Sequence, residues 1–192
     1  MNYIQKFFGH LHTVNRHRRM VRKLCFKCGL YWQGLTHDLS KYSPVEFWNG
    51  VKFYTGTKSP HVGEREAYGY SKAWLHHHNR NKHHAEYWQD IGRDGKATAI
   101  TMPTRYLVEM LCDRLAASKI YLKDKYTNEA PFDYYYSHQD ENQFDLATRV
   151  MLQYSLATLA NDGEEEFFAL MHRILKEDKN IRKGKVKEND ET

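Results

Sequence analysis

The stretch "THDLSK" places His37 beside Asp38, with Lys41 four residues after the imidazole and three after the carboxylate. On a helix, adjacent side chains diverge by about 100°, so His37 and Asp38 would reach two sides of one metal centre or two neighbouring metals. The spacing to Lys41 returns its ammonium to their face. An imidazole ligand, a carboxylate that can hold or bridge cations, and a cation for a phosphate oxygen thus come from one short stretch.

Further along, "WLHHHNRNKHHAEYW" holds five histidines in the nine residues from His76 to His84. The run is internal, interrupted and bracketed by tryptophans, which leaves a metal site, a His-rich surface or a buried histidine network. His77 is the leading ligand candidate, because a helix stopping at "NRNK" would set it beside the break. His83 and His84 follow it, while His76 and His78 are expected around the site or in solvent. Two more candidates stand elsewhere. His17 lies in the first amphipathic segment, and Asp113 sits in "MLCDRLAAS" between leucines and small residues. A carboxylate there is costly to bury unless paired or metal-bound. A structural ion pair with Arg114 or another base is its plain alternative.

The elements that must position these groups read as helices. Apolar residues recur at helical spacing from about Tyr3 to Gly29, with Gly29 as the C-terminal stop. A short helix is expected to carry "GLTHDLSKY". "SPVE" then opens another, with Ser43 as N-cap, Pro44 first in the helix and Glu46 third. "GEREAYGYSKAWLHHH" is expected as one helix, "HHAEYWQDI" as a short helical piece, and "GRDGKAT" as a loop. The segment opened by Pro103 is the clearest helix, followed by two more over about Glu141–Leu159 and Glu164–Lys176, broken at "NDG". The aromatic run "FDYYYSH" is expected to pack a loop onto the domain. No period-2 strand pattern stands out, so the fold class is all-α, with a domain over 1–175 and a charged, disordered tail over 176–192.

The 192 residues suit one domain, and 41% hydrophobic with 14% aromatic content suits a packed core. No apolar run is long enough to span a membrane and no signal peptide is evident, so no membrane partner and a cytoplasmic location are expected. Three cysteines fit a reducing compartment. Cys25 and Cys28 form a C-x-x-C with His10 and His12 upstream, but without a second pair they read as two half-buried helix cysteines. Cys112 reads as core filling. Of the net charge of +5, seven basic residues and no acid fall in positions 1–37, leaving 22 basic against 24 acidic beyond. Such an arm could meet nucleic acid or simply form a solvated helix face.

Taken in order, His17, His37-Asp38, the histidines of 76–84 and Asp113 resemble the ligand signature of the HD-domain superfamily. "HDLSK" is similar to the HD-x-x-K form of many of its phosphohydrolases. "THDLSKYSPVEFW", "KAWLHHHNRNKHHAEYW" and "MPTRYLVEMLCDRLAAS" look like an uncharacterised bacterial and phage branch, over about residues 10–125. The resemblance implies an HD-like helical bundle in which His17, His37, Asp38 and Asp113 hold one metal. It further implies that Asp38 bridges to a second ion on His77, His83 or His84. The expected activity is hydrolysis of a small phosphate ester, such as a nucleotide, using one or two divalent ions (Mn, Fe, Co, Ni or Zn). Asp38 would orient or deprotonate the attacking water, and Lys41 would neutralise phosphate charge. Two alternatives are a di-iron oxygenase on the same scaffold, and a non-catalytic nucleic-acid-binding protein with a structural metal.

Overall fold

The computed structural model describes residues 1–138 and 143–184. The architecture is all-α: eight helices and one small hairpin among the described residues. Helix α1 spans Tyr3–Lys27 and begins in a capping box, Asn2 accepting from Gln5 N while Gln5 returns a bond to the Asn2 backbone. Its inward residues Val14, Val21, Leu24 and Cys25 fall at helical spacing, and Gly29 ends it at φ 78°.

Helix α2 covers Tyr31–Thr36, α3 Pro44–Lys52, α4 Pro60–Tyr68 and α5 Lys72–His78. Ser43 caps α3 and Pro44 occupies its first position, as the "SPVE" pattern requires. Helix α6, Thr104–Leu122, is the axis of the molecule, with Leu107, Val108, Leu111, Cys112 and Leu115 all buried. Helix α1 packs on one side of it and α8 on another. Helix α7 spans Ala130–His138, and α8 spans Leu146–Arg182 with Asp145 as its N-cap. Val21, Leu24, Leu111, Leu115, Leu152, Leu156, Phe167 and Met171 meet in one core. Among the described residues no helix is long and apolar enough to cross a membrane.

Several expectations need correction. "THDLSK" is not helical: α2 stops at Thr36, His37 is extended, and Asp38 takes the left-handed region before a 3-10 turn over Leu39–Tyr42. "GEREAYGYSKAWLHHH" is two helices, because Gly69 at φ 78° ends α4 and Ser71 caps α5. The buried Glu64 carboxylate ties them together, accepting from Ser71 Oγ (2.5 Å) and Ala73 N (3.3 Å). "HHAEYWQDI" and "GRDGKAT" form a 3-10 turn and a hairpin, β1 Gln89–Ile91 against β2 Ala97–Ala99. Three-residue exposed strands carry no alternating pattern to read. "FDYYYSH" is helical, within α7.

The "NDG" break is present as non-helical Gly163 inside α8. The helical segment ahead of it starts at Leu146; the expected start at Glu141 lies outside the described residues. Beyond it, helix continues to Arg182, past the domain end expected at 175, and positions 185–192 of the expected tail lie outside the described residues. Gly163 has φ 86° and ψ −177°, a conformation open essentially to glycine alone. An added Cβ would meet only Asn128 Nδ2 at 3.5 Å, so crowding contributes little. Gly163→Ala should therefore lower unfolding free energy by roughly 1–3 kcal/mol through the backbone alone. Urea denaturation checks this; an unchanged midpoint would contradict it.

Candidate metal centre

The turn after α2 is held by a residue that charge counting alone leaves on the surface. Arg18 Nε donates to His37 O (2.7 Å) and its terminal nitrogens donate to Leu35 O and Tyr42 Oη (both 3.1 Å). This clamp keeps Asp38 at φ 53° and ψ 29°, a left-handed conformation costing a non-glycine residue roughly 1–2 kcal/mol. Asn81 braces the other side, its Nδ2 donating to His77 O (2.7 Å) and Ser40 Oγ (2.8 Å). The histidine loop and the Asp38 turn are thereby locked together.

Asp38 ends up in the middle of the site, 1% exposed, with its two oxygens facing different groups. Oδ2 lies 3.3 Å from His37 Nε2 and 2.7 Å from Lys41 Nζ. Oδ1 lies 3.3 Å from His77 Nε2 and 3.5 Å from His83 Nε2. On the first side, Asp113 Oδ1 is 2.7 Å from His17 Nε2 and 3.5 Å from His37 Nε2. On the second, His77 Nε2 and His84 Nε2 are 2.9 Å apart. Three overlapping sets of donor atoms result: His17, His37, Asp38 and Asp113; Asp38, His77, His83 and His84; and the smaller set His37, His83 and Glu109, the atoms of each set within 4.8 Å of one another. The structure thus brings together all seven residues singled out as ligand candidates in the sequence.

Can such a set hold a cation? His37 Nε2, Asp38 Oδ1 and His83 Nε2 are buried and have no hydrogen-bond partner. Leaving three such atoms unsatisfied at one point is costly, unless a shared cation serves them. Metal–nitrogen bonds of about 2.1 Å put neighbouring donors roughly 3.0–3.4 Å apart, close to the spacings around Asp38. The outer partners fit as well. Glu109 Oε1 accepts from Nδ1 of His37 (2.9 Å) and lies 3.3 Å from Nδ1 of His83; Glu46 Oε2 accepts from Nδ1 of His77 (2.7 Å). An imidazole whose Nδ1 proton is given to a carboxylate turns its Nε2 lone pair toward the centre. These buried groups can hold a metal ion.

Charge balance argues the same way. Four carboxylates converge here, and among the described residues Lys41 is the one Lys or Arg ion-paired with any of them. Burial alone would raise Asp38 and Asp113, but their neighbours hold both well below the usual carboxylate range: His37, Lys41 and His77 around Asp38, and His17 and His37 around Asp113. His37 moves the opposite way: burial lowers it, yet Asp38, Asp113 and Glu109 raise it well above the ordinary imidazole value. Without a metal, the site keeps itself together with a proton on His37.

Glu46, Glu109, Arg18 and Asn81 escape the sequence reading. Glu46 reads as a capping residue and Arg18 as one basic charge among seven. Glu109 carried a readable signal: it precedes Asp113 by four residues, on the same face of α6. His76 donates to Glu46 Oε1 (2.6 Å) and so supports the site from outside, while His78 packs by Trp74. Cys25 and Cys28 are fully buried, not half-buried, and Cys112 fills the core as expected, its sulfur 3.7 Å from that of Cys28. No metal-competent group among the described residues contains a cysteine.

Two cavities meet at the centre. One, of about 380 Å³, is lined by His17, Asp38, Lys41, His10, His61 and Tyr54 among others. The second, of about 900 Å³, reaches His83, His84 and Asp113 from the other side. Metal uptake should displace the His37 proton, so affinity should fall as pH drops through the raised range of that imidazole and keep falling below it. Titrating Zn²⁺ or Mn²⁺ into apoprotein in buffers of different ionisation enthalpy should show at least one proton released per chain. Glu109→Gln should weaken binding by about 10–100-fold although Glu109 belongs to neither four-residue donor set. Buffer-independent heats together with unchanged affinity in Glu109→Gln would contradict the arrangement.

No curated protein and no solved structure matches the chain. Residues 6–158 match a family model described as a family of unknown function (DUF5662), so this all-helical chain with its buried His/Asp/Glu centre belongs to that family.

Proposed function

We propose that this chain is a metal-dependent phosphohydrolase acting on a small phosphate ester, on an HD-like scaffold. The observation that carries this reading is Lys41. Its ammonium sits 2.7 Å from the Asp38 oxygen shared with His37, on the wall of the smaller cavity. Burial alone would lower its pKa, but Asp38 and Asp113 raise it, so Nζ keeps its proton through the neutral range. A fixed cation beside a divalent centre is suited to phosphoryl oxygens.

The rest of that cavity suits an anion. Lys58 offers a second ammonium; the Thr13 and Tyr54 hydroxyls are engaged with Gly9 O and with each other. His10 is lowered to about 4 and His61 to about 3, by burial first and then by Lys41, so both imidazoles are neutral at pH 7. A neutral imidazole can still donate one N–H to an oxygen without adding positive charge that would repel a metal.

One or two divalent ions held by His17, His37, Asp38, Asp113, His77, His83 and His84 would supply a Lewis acid that acidifies water and offsets phosphoryl charge. The mixed imidazole and carboxylate set suits Mn, Fe, Co, Ni or Zn better than Mg or Ca. Asp38, held strongly ionised, is a poor proton acceptor; its part is to bind and orient. Lys41 Nζ would hold a non-bridging phosphoryl oxygen while negative charge builds there. Glu46 and Glu109 keep the imidazoles aimed inward.

Lys41→Ala should leave metal content intact and lower turnover of phosphate esters by roughly 10²-fold. Lys41→Arg should restore only part of it, since a planar fork replaces a compact ammonium. Metal content and rate are measured in the same preparation on a panel of nucleotides and aryl phosphates. An unaffected rate with metal bound would remove the support for phosphate chemistry. Oxygen uptake by an iron-loaded protein would then favour the oxygenase, and salt-sensitive nucleic-acid retention without turnover would favour a binding role.

A further inference from the structure

Burial sorts the charges in the first third of the chain. The first 65 residues hold three acids, Asp38, Glu46 and Glu64, and all three are buried. Arg16, Arg19, Arg22 and Lys23 on α1 are exposed, as is Lys52 on α3. The elements from α1 to α3 therefore present positive charge to solvent and no exposed carboxylate. Such a face draws in an anionic surface.

Apolar side chains share that face. On α1, Ile4, Phe8, His12, Arg16, Arg19 and Lys23 recur every three or four residues and are all exposed. They form one outward stripe, apolar at its start and basic at its end. The chain then returns along α1. Phe26 meets Tyr31 edge-on with ring centroids 5.2 Å apart, Arg18 reaches Leu35 O and Tyr42 Oη, and Tyr3 stacks on Trp48 at 6.5 Å. Arg18 and Phe26 thus mark the flank of α1 where α2 lies, and Arg19 stands one position further round. The returning segment leaves Trp32 73% exposed, with Leu35 and Leu39 each at 50%. Large apolar side chains gathered in this way on a surface mark a site of interaction.

Three kinds of partner could cover an apolar and basic face, and its residues discriminate among them. A second copy of this chain would set arginine against arginine across a two-fold axis. Nucleic acid would pair with the basic residues and stack on Trp32, but would leave Ile4, Leu35 and Leu39 without a partner. A bilayer containing anionic lipid uses all of them. Its headgroups meet the arginines and lysine, its interfacial zone takes Trp32, and its acyl boundary takes the aliphatic side chains. Adsorption of this kind needs no spanning helix.

We infer that the face formed by α1, α2 and the turn at Leu39 is a docking surface for an anionic membrane. Arg16, Arg19 and Lys23 hold the chain to the headgroups, while Trp32, Leu35 and Leu39 enter the interface. The inference is independent of the chemistry at the metal centre, since none of these six residues is a ligand candidate. Co-sedimentation of the full chain with lipid vesicles tests it. Vesicles of phosphatidylcholine and phosphatidylglycerol in equal parts should retain the protein roughly tenfold or more better than phosphatidylcholine alone, and high salt should release it.

Trp32→Ser combined with Leu35→Ser should weaken retention by roughly tenfold. Arg16→Gln, Arg19→Gln and Lys23→Gln should weaken it by roughly fivefold for each charge removed. All five positions are exposed, and unchanged helical content by circular dichroism checks that the variants fold. No retention on anionic vesicles, equal retention on neutral ones, or full retention of the Trp32/Leu35 variant would overturn the inference. Tighter binding of a single-stranded oligonucleotide, weakened by the Arg and Lys changes alone, would overturn it in favour of nucleic acid. A dimer that dissociates in the Trp32/Leu35 variant would overturn it in favour of self-association.

Discussion

Three buried carboxylates and the half-buried Asp113 cannot share one small volume without positive charge, and the rest of this molecule is arranged around that constraint. Asp38 and Asp113 lie on the inner side of the imidazoles, Glu46 and Glu109 on the outer side. His37, His77 and His83 each lie between an inner and an outer acid, so their orientation is fixed from both ends. Lys41 supplies one compensating charge, and the His37 proton supplies another when no cation is bound. A divalent ion is the natural replacement for that proton, since it satisfies buried lone pairs that nothing else reaches.

The fold makes this arrangement rigid by placing one outer and one inner acid on the same helix. Glu109 and Asp113 are one turn apart on α6, whose other faces are packed by α1 and α8. His17 and Arg18 are consecutive on α1, one facing Asp113 and the other clamping the turn that carries His37 and Asp38. A single helix thus positions a ligand candidate and the backbone of its neighbours. Glu46 on α3 does the same for α5 by gripping both His76 and His77. Movement of any one helix would misplace two groups at once.

Much of this was legible in the sequence, and the reasons are specific. Long helices such as α1 and α6 have caps and apolar periodicity strong enough to read, and the ordered His and Asp residues pointed to one centre before any coordinates did. What escaped was set by tertiary context. The "THDLSK" turn reads as helix because no glycine or proline marks its break; Arg18 and Asn81 impose that break from elsewhere. Glu46 carries two signals, a local one as a helix-start residue and a long-range one as a histidine partner 31 positions away, and only the first is visible in sequence. The hairpin after the histidines is too short and exposed to leave a pattern.

The two cavities share Trp74, His84, Asp113 and Tyr121, so both open onto the same centre. Both depend on the centre between them holding cations. Crystals soaked in Mn²⁺ and measured at its absorption edge test that claim most directly. The account predicts two anomalous peaks about 3.5–4 Å apart. One should be bounded by His17, His37 and Asp113, the other by His77, His83 and His84, with Asp38 between them. A map without peaks there, or with manganese only at surface positions, would contradict it.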